Sequence, residues 1–98
     1  MRIREKDITK AIRDFLNALG IFHWKVHQGL GSEKGAPDII GIYQGRLLGI
    51  EVKVPRGQPS ENQKQFIAAI NRAGGIAFVA RSVDDVIKAL GLEDRVLL

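Results

Sequence analysis

Apolar residues recur at three- and four-residue spacing through Ile8, Ile12, Phe15, Leu16 and Leu19, which predicts a helix over residues 3 to 19, stopped at Gly20. The period then changes to two. From Ile21 to His27, Phe22, Trp24 and Val26 fall on one side and His23, Lys25 and His27 on the other, the signature of a strand with one apolar face. Gln28 to Ala36, with Gly29, Gly31 and Gly35, reads as a loop. Two β-rich runs follow, Ile39 to Tyr43 and Leu47 to Val52, separated by Gln44-Gly45 as a two-residue hairpin loop. Ser60 and Gln63 form a capping box ahead of a helical stripe of Phe66, Ile67, Ile70 and Ala73, and Gly74-Gly75 ends it. Ile76 to Ala80 is a short apolar strand, and Ser82 to Leu90 a second capped helix with Val83, Val86, Ile87 and Leu90 inward. Glu93 to Leu98 is a tail that suits an edge strand, a dimer contact or a frayed end.

The hairpin is apolar on both faces. Ile40, Ile42 and Leu47 take one face; Ile39, Tyr43, Leu48, Ile50, Val52 and Val54 take the other. Such a sheet needs cover on both sides, so the order αβββαβα predicts an α/β fold with a three-layer α/β/α core and a central mixed sheet.

Ninety-eight residues make one domain, residues 1 to 98, with a modest core. The chain holds no cysteine, no apolar run long enough to span a membrane and no signal-peptide core. The expectation is a protein that is intracellular and not secreted. A net charge of +4 favours an anionic partner, nucleic acid first.

Charge inside the hairpin carries the candidate chemistry. With a two-residue turn, Asp38 lies opposite Glu51, and Cβ atoms of such pairs are roughly 4.5–5.5 Å apart. Two carboxylates at that range repel unless a cation joins them, and Mg²⁺ or Mn²⁺ suits oxygen ligands. Lys53, two residues past Glu51, shares its face and is placed to orient water or neutralise a phosphate. Glu5 sits where the buried stripe of the first helix extends backwards. It serves either this site or only the helix dipole. Asp38 taken alone is also a strand-starting residue after Pro37, and Gln63 is already explained as a cap. His23 and His27 are roughly 13 Å apart on a strand, too far to share an ion. His27, at the strand end, is a candidate phosphate contact. The loop has no Walker pattern, and Gly29-x-Gly31 is a weak phosphate signal.

Gly35-x-Pro37-Asp38, twelve residues, then Glu51-x-Lys53 resembles the PD-(D/E)XK nuclease superfamily. A preceding helical glutamate, a later glutamine in a serine-introduced helix and a Gly-Gly pair before the last strand are similar to its VRR-NUC (virus-type replication-repair nuclease) branch, in the stand-alone viral and bacterial form. The resemblance spans residues 5 to 81. It implies a restriction-endonuclease-like core and a Mg²⁺- or Mn²⁺-dependent DNA endonuclease. By position it implies Asp38, Glu51 and the Val52 carbonyl as metal ligands, Lys53 as catalytic, and Glu5 and Gln63 in support. From its placement alone, Glu5 is also a candidate metal ligand, through water or to a second ion. Stand-alone members resemble Holliday-junction resolvases, which implies a homodimer acting on branched DNA in the cytoplasm of a bacterium or a phage-infected host. Two sites related by a two-fold axis suit symmetric cutting of a junction. Arg2, Arg4, Lys6, Lys25, Lys34, Arg56 and Lys64 are the candidate phosphate contacts. The alternative is a catalytically silent nuclease-fold DNA-binding module of a larger assembly.

Overall fold

The structure, a computed structural model, describes residues 2–27 and 33–95. Its elements run α1 (Glu5–Ala18), β1 (His23–Lys25), β2 (Ile39–Tyr43), β3 (Arg46–Val52), α2 (Glu61–Arg72), β4 (Ile76–Ala80), α3 (Val83–Ala89) and a 3₁₀ turn (Glu93–Arg95). The predicted order αβββαβα is the observed one, with that last turn added in the tail. The expected tail residues 96–98 and most of the glycine-rich loop, including Gly29 and Gly31, lie outside the described residues.

The four strands lie in the order β1-β2-β3-β4. β1 pairs antiparallel with β2, and β2 with β3, while β3 and β4 run parallel. Parallel neighbours need a crossover, and α2 supplies it. The hairpin turn is the expected one. Gln44 has φ 50° and Gly45 φ 77°, the two positive values a type I′ turn requires. Tyr43 faces Arg46 and Ile40 faces Gly49, so the ladder stays regular through Gly49, with no bulge.

Both faces of the sheet carry helices. Ile39, Leu48, Ile50, Val52 and Ala80 pack with Ile8, Ile12 and Leu16 of α1 and with Val86, Leu90 and Leu92 in and after α3. α2 covers the other face over β3 and β4, where a Cβ on Gly49 would meet Ile70, Pro37 and Ala77.

That second cover is incomplete, contrary to the expectation that both hairpin faces are buried. The register places Trp24 beside Ile40, and the Ile42 N–H donates to the Phe22 carbonyl. No described helix lies over this half. Phe22 is 67% exposed, Trp24 45%, Ile42 44% and Leu47 41%. Strand β1 is also shorter than the alternation predicted: His23 to Lys25 only. α2 packs on β3 and β4, so among the described residues the apolar side chains Phe22, Trp24, Ile42 and Leu47 on this face stay largely exposed.

Candidate active site

The β2–β3 ladder ends at the Ile39–Ile50 pair; Asp38 and Glu51 are the next residues along, and their carboxyl groups are close enough to interact. Asp38 bridges three strands. Its carbonyl accepts from Val26 N–H at 2.8 Å, and its Oδ2 accepts from Val52 N–H at 2.8 Å. The carboxylate therefore takes a place in the backbone pairing at the end of β2, which fixes where it points.

Glu51 is 2% exposed, one of two buried polar residues among those described. Its Oε2 accepts from Gln63 Nε2 at 2.9 Å and lies 3.5 Å from Lys53 Nζ. Its Oε1 is buried with no hydrogen-bond partner. Leaving a buried carboxylate oxygen unpaired is expensive. The consequence is a carboxyl whose pKa is pushed up to about 7, first by burial and then by the adjacent Asp38 charge, with Lys53 pulling the other way.

Gln63 does two things at once. Its Oε1 accepts from Ser60 N–H at 2.8 Å, while Ser60 Oγ accepts from Gln63 N–H at 3.2 Å, the predicted capping box. That reciprocal cap leaves Nε2 as the end that reaches Glu51. So the start of α2 is tied to β3 through the site itself. Gly35 tightens the same junction. It has φ 86°, and a Cβ there would lie 2.5 Å from the Asn62 carbonyl oxygen. The glycine of the G-x-P-D run is thus where the chain entering β2 touches the first turn of α2.

The donor set fits a hard divalent cation: two carboxylates side by side, one with an orphaned buried oxygen, and a lysine at their edge. Among the described residues no group of three or more His, Cys, Asp or Glu comes together. Glu5 is the first residue of α1 and is exposed, not buried as its stripe position suggested. The stripe buries Ile8, Thr9, Ile12 and Leu16 and stops short of it. His27 is exposed as well. Asp38, Glu51, Lys53 and Gln63 are the predicted residues that the fold brings together.

Two groups escaped the sequence reading. Val52 contributes its N–H to Asp38, a backbone role that no residue type signals. His23, read as an ordinary polar strand residue, holds Arg13. Its Nδ1–H donates to the Ile21 carbonyl at 2.9 Å, leaving Nε2 to accept from Arg13 Nε–H at 3.3 Å. Partners ten residues apart on a helix and a strand leave no local pattern.

Residues 3–84 match the model of the VRR-NUC domain. A solved VRR_NUC domain superposes with a TM-score of 0.74 at 25% identity, covering 91% of this chain and 96% of that one. A VRR_NUC domain protein also gives 0.74, at 20% identity, over 93% of this chain and 88% of its own; that likeness is one of fold. Hjc, a Holliday junction resolvase from the archaeal hyperthermophile Archaeoglobus fulgidus, gives 0.51 at 28% identity, over 74% of this chain and 65% of Hjc. No curated protein matches the chain in sequence.

Proposed function

We propose that this chain, which belongs to the VRR-NUC family, is a Mg²⁺- or Mn²⁺-dependent DNA endonuclease, acting as a homodimer on branched DNA such as a Holliday junction. One observation carries the reading: the buried, unpartnered Oε1 of Glu51 beside the Asp38 carboxylate. A purely structural hairpin has no use for that pair, because two close carboxylates, one of them buried and only partly offset by Lys53 at 3.5 Å, cost it stability.

In this reading Asp38, Glu51 and the Val52 carbonyl hold the cation. When bound, the cation supplies charge stabilisation to the phosphodiester and acidifies water. Gln63 fixes the Glu51 carboxylate by its amide, so the orphaned Oε1 faces the site. Lys53, 16% exposed at its side chain, stands at the open edge, where its ammonium neutralises charge growing on phosphorus oxygens or orients the attacking water. Glu5 acts from the periphery, through water.

Chemistry and surface both support the dimer. One site cuts one strand, and paired cutting of a junction requires two. The open sheet half with Phe22, Trp24, Ile42 and Leu47 supports a second copy as its cover. These side chains offer on the order of 400 Å², the size of the largest apolar patch on a typical monomer, which is often functional. No described helix is long and apolar enough to cross a membrane, and the cytoplasm is the compartment we assign.

The test is cleavage of a labelled four-way junction in Mn²⁺. Wild type is expected to cut it, and Asp38→Asn to bind it without cutting. The second reading, a catalytically silent DNA-binding module, is favoured by the lack of a third clustered carboxylate among the described residues. It prevails if wild type binds junctions and cuts no DNA in Mg²⁺ or Mn²⁺.

A further inference from the structure

We propose that the cleft between α1 and the edge strand β1 is a second binding site, for the phosphodiester backbone of nucleic acid, on the opposite face of the sheet from the carboxylate pair. The cleft has a volume of about 400 Å³ and is lined by Lys6, Thr9, Lys10, Arg13, Asp14 and Asn17 of α1 together with Lys25 of β1.

Four cations and one acid meet there, on a chain whose whole net charge is +4. Lys6, Lys10, Arg13 and Asn17 follow one another at helical spacing, so they form a row along one face of α1. From Lys6 to Asn17 the row rises roughly 16 Å, enough to follow several phosphates of one strand. Lys25 faces the row from β1.

The site is built around Arg13. His23 takes its Nε–H at 3.3 Å, and the imidazole is itself anchored on the Ile21 carbonyl. That bond uses Nε and leaves both terminal nitrogens as a fork that can take a phosphate bidentately. Asp14, the one acid, is paired with Lys10 at 2.7 Å, but both side chains are well exposed, at 63% and 78%. Such a pair is weak and screened by salt. Lys10 is therefore free to exchange Asp14 for a phosphate.

The cleft is also in register with the candidate active site. Lys25 pairs with Ile39, the neighbour of Asp38, so the cleft opens at the sheet end that carries the acids. A strand leaving the carboxylates around the edge at β1 enters the row of α1 cations. Its role is then to hold one arm of a bent or branched substrate, through phosphates and without reading bases.

Nucleic acid as the ligand class rests on the nuclease reading above. The test separates the two. Anisotropy of a fluorescein-labelled four-way junction in EDTA is followed against salt for wild type and for Lys6→Gln/Lys10→Gln/Lys25→Gln. All three lysines are exposed, so the fold survives their loss. A control with the same loss of charge, Arg72→Gln/Lys88→Gln/Arg95→Gln, changes exposed cations elsewhere. The cleft variant is expected to lower the slope of log K against log salt by roughly 2 to 3, at about 0.9 per lost contact, with at least about tenfold weaker binding, and the control to change neither. An unchanged slope, or an equal loss in the control, overturns the proposal. If wild type binds and cuts nothing while the cleft variant still loses its slope, the nuclease reading fails and the cleft stands. If wild type cuts and the slope is unchanged, only the cleft falls.

Discussion

Gln63 shows how little room single residues have at this site. One end of its amide closes a helix cap and the other holds Glu51. Gln63→Leu removes both bonds and leaves Glu51 Oε2 with only Lys53, 3.5 Å away. Unfolding should become easier by about 1–3 kcal/mol, and cleavage should fall more than junction binding, as compared by denaturation and single-turnover assays. Glu51 itself makes the metal-free protein pH-dependent. Its pKa in the folded state is raised from 4.5 to about 7, so the folded state holds a proton that the unfolded chain releases. The stability this gives is complete below about pH 4.5 and is lost as pH rises through about 7, a fall of about 3 kcal/mol. Melting temperature in EDTA should drop across that window. Glu51→Gln should flatten the profile, and saturating Mn²⁺ should restore wild type at the upper end.

At the scale of elements, the site is the meeting of three chain segments, not a property of the hairpin alone. Asp38 closes the β1–β2–β3 corner through Val26 and Val52. The chain before β2 is pressed on the start of α2 at Gly35, where any side chain collides with the Asn62 backbone. Gly35→Ala should therefore shift α2 away from β3 and break the Gln63–Glu51 bond. The expected readout is loss of cutting, with a lowered melting temperature, though no candidate catalytic group has been touched. Ser60→Ala is the milder companion. It removes one half of the cap, about 1 kcal/mol, while Gln63 still reaches Glu51, so cleavage should be largely kept.

At the scale of the molecule, the three described α-helices leave part of one sheet face exposed. The uncovered half carries Phe22 against Trp24, ring centroids 5.8 Å apart, beside Ile42 and Leu47. If a second copy seats there, Trp24→Glu should yield a monomer in sedimentation and convert paired cuts in a junction to single nicks. A wild-type chain that sediments as a monomer at all concentrations would remove the dimer from the reading.

Periodicity and capping residues were enough to place every α-helix and strand, the turn at Gln44-Gly45 and the closeness of Asp38 to Glu51, because these are local consequences of backbone stereochemistry and a period of two. The resemblance of the ordered motifs to VRR-NUC nucleases rests on the same local signals. What they leave out is long-range. A hydrophobic stripe says which face of α1 is buried, but not how far along it the neighbour extends, so Glu5 was placed inward and is exposed. Alternation marks the apolar face of β1 and β2, but the reach of α2 over β3 and β4 is a tertiary fact that alternation does not carry. The Arg13–His23 pair, the Val52 N–H on Asp38 and the unpaired oxygen of Glu51 depend on which segments meet. Such meetings are set by packing of the entire chain, which no local pattern encodes.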